Sequence, residues 1–450
     1  MRSKTLAFTI GMVCATLSTI STIFIPTVAW AQAASATSIP GQKRPDGVTV
    51  TPQLLTIAEA LRLSETANPA LLAKQAQLAA AEGVQTDAHA LLFNNPQLSM
   101  DATHRYVPQT GESEERRQEW SAGLSQTLEI AGQRGYRRAA ADAALAALRA
   151  EIADARRTTH ATAAERFYRV LALQQRVALE GQALSLFEGT ASAIQKRRAA
   201  GEDTKLDANI AAVEAERARN QLAIAQEQLL AARADLSATI QLPSGNLPEA
   251  VGELALTPRR FLLAELLAAT DAHPRLRALA ERENSAASRL KLEQASTYPD
   301  VTVGVNVGRE GPGTALERLT TFSLSLPLPL FKRNAAGIGQ ARSDLGQAQI
   351  ERQSALRDTL ATVNALWLRL DSLEARVRRL QESMLPALAD NKQLSVKSQK
   401  AGQIGLLELI VVNRQALDAQ RDLNDALTEY QATRLALELA AGWPQEATQP

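Results

Sequence analysis

The sequence predicts a mainly α-helical protein in which one structural unit, a strand hairpin followed by a long helical hairpin, occurs twice. The first observation is compositional: the 450-residue chain is rich in alanine and contains only 4% aromatic and 22% charged residues. This composition is typical of long helices packed side by side. The second is the absence of proline from Gln109 to Leu242, which leaves room for an uninterrupted helical hairpin. The third is a duplication of motifs along the chain.

Five pairs of segments match, in the same order, in the two halves of the chain. The distance between matching positions varies only from 200 residues (Leu124 to Leu324) to 205 residues (Asn68 to His273). A period of this length indicates two copies of one structural unit rather than a solenoid of short repeats. The pairs are Asn68-Pro69 with His273-Pro274, Asn95-Pro96 with Tyr298-Pro299, Leu124–Leu128 with Leu324–Leu328, Lys196–Gly201 with Lys397–Gly402, and Ile240–Pro243 with Ala441–Pro444.

The duplication and the turn signals set the expected boundaries. We expect a signal peptide at 1–31, an extended segment at 32–52, a first repeat at 53–243, a linker at 244–259, a second repeat at 260–444 and a tail at 445–450. Strands are expected near 97–107, 119–130, 300–308 and 320–330, and the tips of the helical hairpins near 199–204 and 400–405.

The N-terminus has the pattern of an export signal. Arg2 and Lys4 precede an uncharged stretch from Leu6 to Ile25, and Ala29-Trp30-Ala31 is a small-x-small cleavage motif. The alternative is an uncleaved membrane anchor, but Ser and Thr dilute the apolar stretch. Cys14, the only cysteine, would leave with the signal. We therefore expect no disulfide, no thiolate nucleophile and no N-terminal lipid anchor in the mature chain.

Neither charge nor motifs indicate nucleic-acid binding or catalysis. Lys and Arg number 49 and Asp and Glu 48, so no basic field is available for phosphates. The four histidines are scattered, and the sequence has no HExxH, no GxSxG and no phosphate-binding glycine loop. We expect no catalytic residue, no cofactor and no metal site. His104 is assigned to a strand surface, and Arg116-Arg117, next to Glu112, Glu114 and Glu115, to a solvated loop.

Alternation of apolar and polar residues predicts the four strands, for example Val301, Val303, Val305 and Val307 on one face. Each run approaches the ~9–11 residues that cross a bilayer as a tilted strand. Soluble hairpins alternate in the same way, so the membrane interpretation depends also on the export signal. Four strands cannot close a barrel, and open edges in lipid would leave backbone groups unpaired. Two copies would contribute eight strands to one barrel, and three copies would contribute twelve. A barrel with a conducting lumen favours three copies.

The long helices carry a near-heptad apolar seam that begins at Ala163 and Phe167 and is interrupted by Glu180. A continuous helix from Tyr136 to Arg198 would be ~95 Å long, at 1.5 Å per residue. Taken alone, such helices would also suit an exported periplasmic coiled-coil scaffold without a pore. The strand hairpins that interrupt them count against that alternative.

Several motifs resemble those of one protein family. Ser325–Asn334, which reads Ser-Leu-Pro-Leu-Pro-Leu-Phe-Lys-Arg-Asn, is similar to the Pro-Leu-Pro-Leu-Phe-x-Arg-Asn segment of the cobalt–zinc–cadmium resistance branch of the TolC-like outer-membrane efflux ducts. Leu124–Glu129 resembles the matching segment of the family's first copy. Leu385-Pro386, followed by Ala401–Leu409, resembles the family's second helical hairpin. The resemblance covers most of the chain between the signal peptide and the tail.

The resemblance implies a homotrimer with a twelve-stranded outer-membrane β-barrel and a trimeric helical α-barrel that extends into the periplasm. Such a duct is not an enzyme. It passes substrate, heavy-metal cations in this branch, from an inner-membrane, proton-driven resistance-nodulation-division pump through a periplasmic adaptor to the exterior. Two alternatives stay open: the scaffold without a pore, and a duct of the same family that exports drugs or other organic compounds.

At both hairpin tips a glycine, which suits a left-handed turn, follows a cationic helix end, and cations suit a helix C-terminus. These two turns are the expected adaptor-docking surfaces. The residues concerned are Arg198, Ala200, Gly201, Lys400, Ala401, Gly402 and Gln403. Glu202, Asp203, Asp207 and Glu408 follow the turns and are candidate pore acids, since three copies would form carboxylate rings. The alternative for these acids is helix capping. Pro386, which aligns with Ser185 of the first repeat, is expected to bend its helix.

Overall fold

The computed structural model describes residues 54–108, 110–111, 115–243, 245–256, 262–312 and 315–443. The expected signal peptide at 1–31 with Cys14, the extended segment at 32–52, the tail at 445–450 and the ends of the linker lie outside the described residues.

The first half of the chain contains two short helices, a strand hairpin and a very long helical hairpin. The hairpin helix α3 has 67 residues, a length of ~100 Å. A short strand before the first helix pairs in parallel with another in the linker. The elements are β1 (Leu54–Leu55), α1 (Ile57–Ala67), α2 (Pro69–His89), β2 (Gln97–Val107), β3 (Glu115–Leu128), α3 (Gln133–Ala199), α4 (Lys205–Thr239) and β4 (Glu249–Ala250).

The second half has the same order of elements, except that its long helix is interrupted. A π-helical segment, Leu380–Met384, separates α7 from α8 directly before Pro386. A proline inside a helix lacks a backbone donor and crowds the preceding turn, and a π segment widens that turn. The elements are α5 (Leu263–Ala269), a 3-10 turn (Thr270–Ala272), α6 (Pro274–Ala295), β5 (Val301–Glu310), β6 (Glu317–Ser325), α7 (Ala335–Arg379), α8 (Leu385–Lys400) and α9 (Leu406–Ala440).

Matching residues begin α2 and α6. The Asn68 Oδ1 atom accepts a hydrogen bond from the Ala70 amide at 2.9 Å, and the His273 Nδ1 atom accepts one from the Arg275 amide at 3.0 Å. In each case proline occupies the first helical position, where its missing amide proton removes no helical hydrogen bond.

The four long strands form one antiparallel sheet in the order β2-β3-β5-β6. One row across the sheet joins Leu98, Leu124, Val305 and Phe322, and the next joins Ser99, Gly123, Asn306 and Thr321. Because neighbouring residues on a strand point to opposite faces, one face is apolar and the other small and polar. Strands β2 and β6 are the edges of this sheet.

Two expected strand boundaries differ from those in the structure. β3 begins at Glu115 rather than near 119, so Arg116 and Arg117 lie in a strand, paired with Tyr106 and Arg105, and their assignment to a loop was wrong. Antiparallel pairing with β2 extends the ladder through residues whose local sequence is typical of a loop. β6 ends at Ser325 rather than near 330, because Pro327 and Pro329 cannot donate ladder hydrogen bonds.

The helices pack around a central contact between α3 and α9. α2 and α4 pack along α3, α6 packs between α3 and α7, and α7 and α8 pack along α9. The largest buried cluster joins α1, α3, α4, α7, α9 and the β1–β4 pair, and includes Phe167, Val170, Leu236 and Val377. A second cluster centres on Leu266, Val363, Tyr430 and Leu437. Buried alanines line much of α3 and α4, so the helix axes can approach closely.

Candidate channel and docking surfaces

The first hairpin turn joins α3 to α4. Gly201 has a φ of +81°, its amide donates to the Arg198 carbonyl at 3.0 Å, and the Glu202 amide donates to the Arg197 carbonyl at 2.9 Å. These hydrogen bonds end the helix in a left-handed glycine cap. The Arg197 side chain forms ion pairs with Glu202 at 3.3 Å and Asp203 at 3.2 Å, so two of the candidate pore acids have a cationic neighbour.

The second hairpin turn, between α8 and α9, has the same geometry. Gly402 has a φ of +73°, its amide donates to the Gln399 carbonyl at 3.0 Å, and the Gln403 amide donates to the Ser398 carbonyl at 2.9 Å. Glu408 lies in the first turn of α9 and is exposed. The two expected turns therefore have the same backbone hydrogen bonding, 201 residues apart.

The structure brings the two turns to the same end of the helices. Leu406, four residues after Gly402, packs against Ile194, Ala208 and Ala211, which flank the first turn. Four residues farther along α9, Ile410 packs in a neighbouring cluster of α3 and α4 residues. The two turns therefore lie next to each other at one end of the helices.

The candidate acids differ in their surroundings. The Asp207 Oδ2 atom accepts a hydrogen bond from the Thr204 amide at 3.2 Å, and the Thr204 Oγ1 atom accepts one from the Asp207 amide at 3.1 Å. This reciprocal pair is a capping box, so Asp207 stabilises the start of α4. The side chains of Glu202 and Glu408 are exposed, and those carboxylates are accessible to ions.

A buried ion cluster connects α3 to α9 farther from the turns. The side chain of Glu180 is only 1% exposed, and its carboxylate accepts hydrogen bonds from Arg176 Nε at 2.7 Å and Arg421 Nε at 2.9 Å. Burial disfavours the charged form, but the hydrogen bonds from the two guanidinium groups outweigh it and lower the pKa of Glu180. The hydrogen bond to Glu180 likewise raises the pKa of Arg421. Glu180 therefore interrupts the apolar seam as a charged link between the two repeats.

A second charged link joins α4 to α9 nearer the turns. The Arg414 guanidinium binds the Glu214 carboxylate with both Nε, at 2.8 Å, and Nη2, a bidentate arrangement that fixes the orientation of both groups. Sequence reasoning missed Arg414 and Arg421 because their acidic partners, 200 and 241 residues away, are set by tertiary packing. It also missed Arg176, although Arg176 and Glu180 are four residues apart on α3, a spacing typical of helical ion pairs.

The apolar face of the sheet is exposed to solvent in the single chain. Phe322 is 80% exposed, Leu324 75% and Leu98 72%. A contiguous exposed apolar surface of this kind marks an interaction with lipid or protein. The opposite face has little room for larger side chains: a Cβ atom on Gly123 would lie 2.8 Å from the Ser99 Oγ atom.

Among the described residues, no group of three or more His, Cys, Asp or Glu side chains is close enough to bind a metal ion. No helix in the described part of the chain is both long and apolar enough to span a bilayer.

Comparison with known proteins links these features to efflux. Residues 267–443 match the family described as outer membrane efflux protein. The cobalt-zinc-cadmium resistance protein CzcC of Cupriavidus metallidurans is 28% identical over 380 residues, which cover 84% of this chain and 85% of that protein.

Two solved structures have the same fold. The outer-membrane protein VceC of Vibrio cholerae is 19% identical, with a TM-score of 0.71 over 86% of this chain and 96% of that one. The open state of the outer-membrane channel MtrE of Neisseria gonorrhoeae is 17% identical, with a TM-score of 0.70 over 87% and 91%. The resemblance predicted from the sequence is therefore confirmed: part of the chain matches the outer membrane efflux protein family, and most of its length is similar to CzcC.

Proposed function

We propose that this chain forms, as a homotrimer, the passive outer-membrane duct of a tripartite efflux system and that its cargo is divalent heavy-metal cations. The observation that carries the proposal is the four-stranded sheet. One face is apolar and exposed, the other is small and polar, and both edges, β2 and β6, lack a partner strand among the described residues. This pattern suits the wall of a β-barrel that has lipid on one side and water on the other.

Closure of the wall requires further copies of the chain. Backbone groups on β2 and β6 would be unpaired in lipid, at a cost of several kcal/mol each. Pairing of β6 in one copy with β2 in the next removes both edges. Three copies supply twelve strands, whereas the eight strands of two copies would enclose a barrel filled by side chains.

The helical part of the chain would continue the channel on one side of that membrane. All four long strands connect to helices, so the helical body lies beyond one mouth of the barrel, and we place it in the periplasm. Both hairpin turns lie at one end of these helices. We assign that end to docking of a periplasmic adaptor and, through it, an inner-membrane resistance-nodulation-division pump. The duct itself performs no chemistry.

The cargo assignment is supported by CzcC and by the turn acids. CzcC is named for resistance to cobalt, zinc and cadmium. In a trimer, the exposed Glu202 and Glu408 would each become a ring of three carboxylates, which attracts cations and repels anions. A duct that serves drugs or other organic compounds is the second candidate, since outer-membrane proteins other than CzcC, among them VceC and MtrE, share this fold.

Membrane fractionation separates a duct from a periplasmic scaffold. A duct should stay in the outer-membrane fraction after a carbonate wash and should require detergent for extraction. A scaffold without a pore should be released by salt or carbonate, which would contradict the proposal.

A resistance assay tests the cargo. In cells that lack a native duct, co-expression of this chain with a metal-transporting pump and its adaptor should restore growth in cobalt, zinc or cadmium. The matched control is the same chain with a drug-transporting pump and adaptor, challenged with the drug. Restoration of drug resistance alone would favour the organic-compound duct.

A further inference from the structure

We propose that the loop end of the sheet carries a binding surface for phosphate-bearing anionic lipid headgroups. The surface, here called the cationic rim, consists of Arg116, Arg309 and Arg318 with His104, Tyr106 and Trp120. The inference rests on the proposed function, because it requires that the apolar face of the sheet contact lipid.

The strand register places the cationic rim on the apolar face. Arg309 lies opposite Trp120 on β3 and opposite Arg318 on β6. Arg116 lies opposite Tyr106, with its guanidinium carbon 5.7 Å from the centre of the tyrosine ring. Directly opposite residues share a face, and alternation along β5 puts Arg309 on the same face as Val307.

The position along the strands matches a membrane boundary. Arg309 is six residues from Val303, and Arg318 is six residues from Leu324, in each case ~20 Å along the strand. The lipid-facing band of a membrane sheet is ~25 Å tall and is bordered by aromatic residues. Tyr106 is 61% exposed and Trp120 49%. The arginines therefore begin where the apolar band ends, at the side away from the helices.

Charge is divided unequally between the two faces. Among the strand side chains that the structure describes, no carboxylate shares a face with the cationic rim: Asp101, Glu119, Glu310 and Glu317 all lie on the other face by register. That face contains its own cations, since Arg105 and Glu119 form an ion pair at 3.0 Å. The loop acids Glu112 and Glu114 lie outside the described residues.

Arg309 and Arg318 face each other directly, and like charges in this position destabilise a sheet. A phosphate bound between them would remove the repulsion and accept bidentate hydrogen bonds from guanidinium groups. A phosphate at the headgroup level of the bilayer is available at this height, whereas the small polar face turns toward water. The occupant we assign is thus the phosphate group of a lipid.

The test uses the assembled full-length protein in nanodiscs made from equal parts of phosphatidylcholine and phosphatidylglycerol. Native mass spectrometry of particles released from the nanodiscs counts the lipids of each kind that stay bound. We expect the wild type to retain phosphatidylglycerol preferentially, and the preference to fall as ionic strength rises. Each arginine near an anionic surface should contribute about fivefold to binding.

Neighbouring residues supply a matched control. The variant R116Q/R309Q/R318Q should lose the preference for phosphatidylglycerol, whereas R117Q, on the opposite face of the same strand, should keep it. The single variant R318Q, expected to lower the preference about fivefold, replaces the triple variant if that one does not insert.

The outcomes distinguish this inference from the proposed function. If the wild type inserts but shows no preference for the anionic lipid, or if R318Q and R117Q retain the same preference, the lipid-binding rim is wrong and the duct stands. If the wild type inserts into no lipid bilayer, the duct is wrong and the rim with it.

Discussion

Glu180 occupies a position where the heptad seam of α3 would place an apolar side chain. Its two arginine partners come from α3 itself and from α9, so the interaction spans 241 residues of sequence. Removing one partner of a buried ion pair leaves an uncompensated charge, which is more costly than loss of the pair itself. The Glu180 carboxylate therefore links α9 to α3 at a buried position of the helix interface.

We expect E180Q to lower the free energy of unfolding by ~3 kcal/mol. The control is E188Q, because Glu188 forms an exposed ion pair with Arg219, and an exposed pair contributes only ~0.2–1 kcal/mol. Denaturant unfolding followed by circular dichroism measures both variants. Similar losses in the two variants would contradict a special role for Glu180.

His273 gives the second repeat a pH-dependent helix start. The Nδ1 atom accepts from the Arg275 amide, so Nε2 must donate to the Leu439 carbonyl, 3.1 Å away. Burial, as the largest cause, lowers the pKa of His273. The folded state thus favours the neutral ring. The contribution of His273 to the free energy of unfolding is therefore complete above pH 6.5, the pKa of the histidine in the unfolded chain. It is lost as the pH falls below that value, because the unfolded chain then binds the proton more readily than the folded one.

H273N tests this assignment with the residue that the first repeat uses at the same place. Asn68 caps α2 without titrating, so the variant should keep the helix cap. Above the pH range in which the histidine titrates, the free energy of unfolding of the variant should be about 1 kcal/mol below that of the wild type, because the hydrogen bond to the Leu439 carbonyl is absent. Below that range its stability should fall less with pH than that of the wild type. Parallel pH profiles for the two proteins would contradict the expected role of the ring.

At the scale of elements, the interruption at Pro386 is the clearest difference between the two long hairpins. α3 is one continuous helix, whereas α7 and α8 are separated by the π segment. We expect the two hairpins to approach the turns at different angles, so that the six helical hairpins of a trimer alternate. P386S, which introduces the residue of the first repeat, should restore a regular helix. Electron cryomicroscopy of both proteins measures the angles, and superimposable hairpins in the wild type would refute the prediction.

Among the acids at the turns, we expect Asp207 to serve as a helix cap, and Glu202 and Glu408 to bind cations. D207A removes the capping box and should lower stability by ~0.5–2 kcal/mol without changing ion conduction. E202A and E408A, whose carboxylates are exposed, should weaken the block of single-channel currents by divalent cations. D203A, next to Arg197, measures the contribution of the ion pair. If none of these four variants alters conductance or block, the acids serve only the helix ends.

The features that could be predicted from the sequence are those encoded locally. The strand faces follow from alternation in runs such as Val301–Val307, and both turns follow from a glycine after a cationic helix end. The predicted start of β3 was wrong, because Glu115–Arg117 has the local pattern of a loop and becomes a strand only through pairing with β2. The Arg421 partner of Glu180 and the Arg414 partner of Glu214 could not be predicted, since these two ion pairs join residues at least 200 positions apart.

At the scale of the whole molecule, the described part of the chain has a sheet without partner strands at its two edges. β2 and β6 are these open edges. An exposed apolar sheet face adjoins these edges. Open edges and an exposed apolar face are unfavourable in an isolated chain, and both would be relieved if copies closed around a common axis in a bilayer, as we propose.

Native mass spectrometry of the detergent-extracted particle tests this closure most directly. We predict a complex of three chains, because three copies supply the twelve strands that enclose an open lumen. Substitutions that leave the fold intact should not change the number of chains. A stable single chain that retains its strand content in detergent would contradict the shared channel wall, and with it the proposed duct.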